Sequence, residues 1–159
     1  MMKRILMAFA ALVLLGSIPA MAAPVPFNVT ITIRQAISIT KLTDLDFGTV
    51  ETVSSPTTYT VLPASAPGSG AGTAATAASF TIQGEATQVA NVSFTANPVT
   101  VTCSAPCAGS LSVNLTPEAT THTFSGAAET FYVGGDVQVI STTQAGVYTG
   151  TANLSLVYQ

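Results

Sequence analysis

The chain has 159 residues, 48% of them hydrophobic and 7% charged, and a formal net charge of −3. That is one domain's worth of chain, long enough to bury a core. Beyond the N-terminal segment only Arg34 and Lys41 are basic, against seven acids. So little positive charge cannot neutralise phosphates, which argues against nucleic-acid binding, and it leaves no basic membrane-binding helix. Low charge is a handicap for a free monomer and less of one for a subunit held in a polymer.

Met1-Met2-Lys3-Arg4 is a short basic start, and Ile5 to Leu15 is an apolar run. Gly16, Ser17 and Pro19 break a helix, and Ala20-Met21-Ala22 has small residues at both outer positions. This is the pattern of a cleavable signal peptide over residues 1–22, cut between Ala22 and Ala23. A cut after Ala23 would put Pro24 at the scissile bond. The apolar run is shorter than the roughly 20 residues that span a bilayer, which disfavours an uncleaved anchor. No later segment is long and apolar enough to span, so the mature chain is not expected to insert into a membrane. The chain is expected to be exported, to cross the periplasm and to end at the cell surface or outside the cell.

The mature part shows period-two alternation and no sustained helical period. Residues 23–36 form an extension in which Val25, Phe27, Val29, Ile31 and Ile33 alternate with polar residues or proline, and residues 37–159 form the domain. Ile37 and Ile39 continue the phase of the extension. Strands are predicted at Leu45–Val50, Thr58–Leu62, Ser79–Ile82, Val89–Phe94, Val99–Thr102 and Ser110–Leu115. Residues 64–78, rich in Ala, Gly, Ser, Thr and Pro, read as a long loop within the domain. Gly134-Gly135-Asp136 lies between Phe131-Tyr132-Val133 and Val137–Ile140, and reads as a tight hairpin turn. The last strand is predicted over Val147–Tyr158, with Ala152, Leu154, Leu156 and Tyr158 on one face. Many short strands with frequent turns make an all-β antiparallel sandwich or barrel.

Cys103 and Cys107 are the only cysteines, and in an oxidising compartment they pair. So small a ring adds roughly 2 kcal/mol by the chain-entropy estimate. A redox pair would have two intervening residues, and a zinc site needs about four ligands where the chain has one histidine. No metal or other cofactor is therefore expected. His122, in Thr120-Thr121-His122-Thr123, reads as an exposed residue of a polar turn. Gly68-Ser69-Gly70-Ala71-Gly72 lacks the lysine and helix of a phosphate loop. Asp44 and Asp46 have no further acids around them to make a calcium loop. The Asn-x-Ser/Thr sites at Asn28, Asn91, Asn114 and Asn153 follow from strand alternation. No nucleophile motif appears, so the chain is not expected to be an enzyme. A carbohydrate-binding module would want exposed aromatics, and the chain has no Trp and four Tyr.

The two ends carry the functional signal. Terminal strands that alternate this cleanly can pair with another chain, or within their own sandwich, and the pattern leaves both open. Leu45-Asp46-Phe47-Gly48-Thr49-Val50, Phe131-Tyr132-Val133-Gly134-Gly135 and Ala145–Tyr158 together resemble a family of secreted bacterial domains known only as a domain of unknown function. The same outline resembles fimbrial subunits of the chaperone–usher kind and spore-coat-U-like subunits. That resemblance implies an immunoglobulin-like sandwich lacking one strand, self-associating into a fibre with the help of a periplasmic chaperone and an outer-membrane usher. It implies that Val25, Phe27, Val29, Ile31 and Ile33 form a donor strand for a neighbour. It assigns Ala152, Leu154, Leu156 and Tyr158 to the strand that meets the chaperone. The close mid-chain cysteines depart from the rod-subunit pattern, in which early strands are bridged. The expected function is a structural subunit of a bacterial surface fibre. The alternative is a self-contained secreted sandwich of the cell surface or biofilm matrix, with or without a ligand.

Overall fold

Alternating Val, Ile, Thr and Phe residues favour extended backbone, because branched and aromatic side chains pack well on a pleated surface. A computed structural model describes residues 23–64 and 72–159. The predicted signal peptide, and part of the predicted loop, lie outside the described residues. The chain divides into a short unit ending at Thr32 and a larger one from Ile33 to Gln159. In the short unit, residues 23–32 carry no strand, and Val25, Phe27, Val29 and Ile31 are each more than four-fifths exposed, at 81–84%.

The larger unit is all-β and antiparallel. Its strands are β1 (Ser38–Thr43), β2 (Thr57–Val61), β3 (Ala78–Gln83), β4 (Val89–Phe94) and β5 (Val99–Cys103). They continue as β6 (Ser110–Pro117), β7 (Thr121–Thr123), β8 (Glu129–Val139), β9 (Tyr148–Thr149) and β10 (Leu154–Tyr158). One sheet has the order β1-β3-β8-β6-β5-β9, with β2 also on β8, and the other has the order β10-β4-β7. The two layers pack as a sandwich. Its main core joins Ile82, Phe131 and Val133 of the large sheet to Ala90 and Leu156 of the small one, with Phe124 between.

The long strand β8 organises the large sheet. On one edge β3 takes Glu129–Val133 and β2 takes Gly135–Val139, while β6 lies along the other edge over Val133–Val137. Gly134 falls where the first edge changes partner. A Cβ there would overlap the Val61 carbonyl and stand 2.6 Å from the Pro63 nitrogen. On Gly135 it would stand 2.6 Å from the Asn114 carbonyl oxygen. The predicted hairpin turn is therefore corrected. The glycines sit inside a continuous strand, and what they provide is close backbone approach.

Three further readings change. Leu45–Val50 is no regular strand. It pairs with the Gly72–Thr76 stretch only through bridges at Asp46–Thr76 and Thr49–Thr73, because Gly48 adopts a positive φ of 69° between them. The predicted last strand is broken. Its start, β9, pairs with β5 in the large sheet, and its end, β10, pairs with β4 in the small one. His122 is not an exposed turn residue but lies in β7 with its side chain only 16% exposed. Its ring packs edge-on against Phe124 and Phe131, at centroid distances of 5.1 and 5.9 Å. Nε2 lies 2.9 Å from Glu129 Oε2.

Candidate functional site

The small sheet is too narrow to cover the large one. The inner faces of β3 and the first half of β8 are roofed by β4 and β10. The inner faces of β5, β6 and the second half of β8 instead form the floor of a groove of about 760 Å³. Val99 and Val101, Leu111, Val113 and Leu115, and Val137 and Val139 make that floor. One wall is the bulged segment Leu45–Val50, and the other is Gly146–Gly150. Phe94, Ala152 and Leu154 line it from the small-sheet side. Apart from Lys41, Asp44 and Asp46 on one rim, no charged side chain among the described residues lines it.

The edge of the small sheet beside this groove is β10. Its inward residues are Leu154, Leu156 and Tyr158, opposite Phe94, Val92 and Ala90 of β4. Thr95 N–H donates to the Asn153 carbonyl (3.1 Å), and Gln159 N–H to the Val89 carbonyl (3.0 Å). In an antiparallel ladder, bonded and non-bonded positions alternate. Residues 153, 155, 157 and 159 therefore spend their backbone groups on β4, and the N–H and C=O groups of Leu154, Leu156 and Tyr158 point to the edge that no described strand occupies. The same three residues thus present apolar side chains inward and unpaired backbone groups sideways.

The Tyr158 hydroxyl closes one end of this edge. It accepts from the Glu85 N–H (2.7 Å) and donates to the Gln35 carbonyl (2.9 Å). Gln35 N–H in turn donates to Glu85 Oε2 (3.2 Å). Gly84 is required beside it, since a Cβ there would lie 2.7 Å from both the Tyr158 hydroxyl and the Phe124 ring. At the start of β8, Glu129 holds the turn that precedes the strand. Ser125 donates to it from both hydroxyl and backbone N–H, and these bonds, aided by His122, keep its carboxyl below the usual glutamate range despite some burial.

Of the side chains singled out from sequence, the structure brings Leu154, Leu156 and Tyr158 together on β10. Ala152 precedes that strand, is exposed, and lines the groove. Val25, Phe27, Val29, Ile31 and Ile33 are all exposed and outside any strand. Cys103 and Cys107 are joined in a disulfide, as is compatible with an exported protein. No helix among the described residues is long and apolar enough to cross a membrane. Asp44 pairs with Lys41 at 2.6 Å, and Asp46 accepts the Gly48 N–H at 2.8 Å, so both carboxylates have local partners. The groove floor, assembled from β5, β6 and β8, was missed. Its signal was the run of apolar residues at alternate positions of the two strands, Val99 and Val101 on β5 and Leu111, Val113 and Leu115 on β6.

No curated protein matches the sequence. The sequence profile described as "Domain of unknown function (DUF4402)" matches residues 37–158, from just before β1 to the last residue of β10, and the chain belongs to that family.

Proposed function

We propose that this protein is a structural subunit of a bacterial surface fibre, linked to its neighbour by a donated strand. The observation that carries this reading is the apolar groove beside an unpaired β10 edge, in a chain that also has an exposed alternating apolar segment. A strand of residues 25–33 is about 30 Å long at roughly 3.3 Å per residue, enough to run the length of β10 and on past Ala152. Burying five large apolar side chains gives roughly 8–15 kcal/mol before ordering costs. Ordering nine residues costs about 1–2 kcal/mol each. The two are of similar size, so the apolar floor alone is not enough. The unpaired backbone groups of Leu154, Leu156 and Tyr158 supply what is missing.

Gln35 is already held by Glu85 and Tyr158, and β1 pairs with β3 of its own domain. The donated segment therefore ends at Arg34. The same arrangement suits handover from an assembly partner, a periplasmic chaperone working with an outer-membrane usher, that covers the β10 edge first. In this reading residues 1–22 are removed on export, residues 23–34 are the donor and the remainder is the acceptor domain; the chain has no catalytic role.

Arg34 gives a clean test, because Arg34 and Lys41 are the only basic residues after the N-terminal segment. Trypsin should clip freshly refolded monomer after Arg34 quickly and polymer slowly, and unheated samples should run as a ladder on a denaturing gel. A trypsin-resistant monomer that never forms dimers or ladders would end the fibre reading in favour of a self-contained sandwich.

A further inference from the structure

The disulfide and the groove meet at one glycine. Cys103 ends β5, and Cys107 lies in the loop that follows. A Cβ on Gly146 would overlap the Cys107 sulfur and stand 2.6 Å from the Cys103 sulfur. The Gly146 backbone therefore rests directly on the disulfide, with no room for a side chain between them. The same loop holds the neighbouring residues. Ser104 N–H donates to the Val147 carbonyl (3.2 Å), and Ala108 N–H donates to Gln144 Oε1 (2.8 Å). Beyond these bonds the segment is tied to the sheet through β9, only two residues long. Gly146–Gly150 is also one wall of the groove.

We infer that the Cys103–Cys107 disulfide is the seat of this groove wall, so that the groove takes its form in the oxidised chain and loses it on reduction. Cys103 stays anchored in β5 without the bond, whereas Cys107 lies outside any strand and is held under Gly146 through the bond. Reduced, the two sulfurs need room that Gly146 occupies, and the wall moves off. The core does not depend on this contact, since it is built from β3, β4, β8, β10 and Phe124, and includes nothing from the cysteine loop or the wall. Reduction therefore spares the sandwich and deforms the groove.

Oxidation needs an external disulfide. One cysteine thiolate attacks it and releases a first thiol, then the second cysteine displaces a second thiol and closes the ring. The two protons of Cys103 and Cys107 end on the two thiols released. Resting on the strand-acceptor reading, the consequence is that a chain held in a thiol-reducing compartment does not accept a strand, and becomes competent where disulfides persist.

The test compares three forms of the mature chain: oxidised, reduced with dithiothreitol, and Gly146→Ala with its disulfide intact. Hydrogen exchange should quicken roughly tenfold or more at residues 147–150 in the second and third forms, with β3 and β8 unchanged. Binding of a synthetic peptide of residues 24–34 should weaken in parallel. Equal exchange at residues 147–150 in oxidised and reduced chain would overturn the inference. So would loss of protection in β3 and β8 along with the wall, which would make the disulfide a staple of the whole fold. If the wall loosens as stated but the oxidised chain binds no peptide, the seat stands and the strand-acceptor reading falls.

Discussion

Replacing Tyr158 with phenylalanine removes one oxygen and leaves the ring against Phe124, where the centroids are 5.9 Å apart. That oxygen makes two bonds, from Glu85 N–H and to the Gln35 carbonyl. A typical bond contributes about 0.5–1.5 kcal/mol net, and a stranded buried partner costs about 1–3 kcal/mol. Tyr158 is only half-buried, so water can reach the freed groups and the lower values apply. The expected loss is about 1–2 kcal/mol. With a urea slope of about 2 kcal/mol per molar, the unfolding midpoint of the monomer should fall by roughly 0.5–1 M without a change of slope. Gln35 is also the residue after Arg34, so trypsin should cut Arg34 faster in the variant. Tyr158→Leu should lose about 0.5–1.5 kcal/mol more, from the aromatic pair. A Tyr158→Phe monomer with an unchanged midpoint and unchanged cleavage at Arg34 would refute the reasoning.

Gly134→Ala should destabilise the monomer by several kcal/mol in the same urea assay, on the order of an overpacked core or worse, because its Cβ meets the backbone of Val61 and Pro63. Leu156→Ala should cost about 2–5 kcal/mol as a buried truncation, and Leu156→Asp should prevent assembly in cells, scored by electron microscopy of surface fibres. The Glu129 carboxyl is depressed in the folded chain, chiefly by the Ser125 bonds. The stability it contributes is therefore present above the ordinary glutamate range and lost as pH falls through its lower folded value. Thermal scans should show Glu129→Gln less stable than the parent at neutral pH, with the gap closing in acid.

Alternation made β2 through β6 legible, because a sheet with one buried face imposes period two on its strands. It misled where glycine was concerned. Gly134-Gly135 looks like a turn, yet only the approach of Val61 and Asn114 from other strands explains it, and such contacts leave no local mark. The unbroken alternation of residues 147–158 hid the change of sheet between β9 and β10, since a strand that switches layers keeps its period. His122 sits among polar neighbours because alternate residues of β7 face solvent. At the site, Leu154, Leu156 and Tyr158 were legible as a face. That the same residues carry the unpaired backbone groups was not, because it depends on the phase of pairing with β4.

The most direct measurement of strand acceptance follows individual amides of β10. The chain should carry Val29→Asp and Ile31→Asp, so that its own extension cannot act as donor, and a peptide of residues 24–34 is then added. The amides of Ser155 and Val157, already bonded to β4, should exchange slowly before and after. Those of Leu154, Leu156 and Tyr158 should exchange fast before and slowly after. If peptide leaves those three amides unprotected, or protects some other strand edge instead, the account of β10 as the receiving edge is wrong.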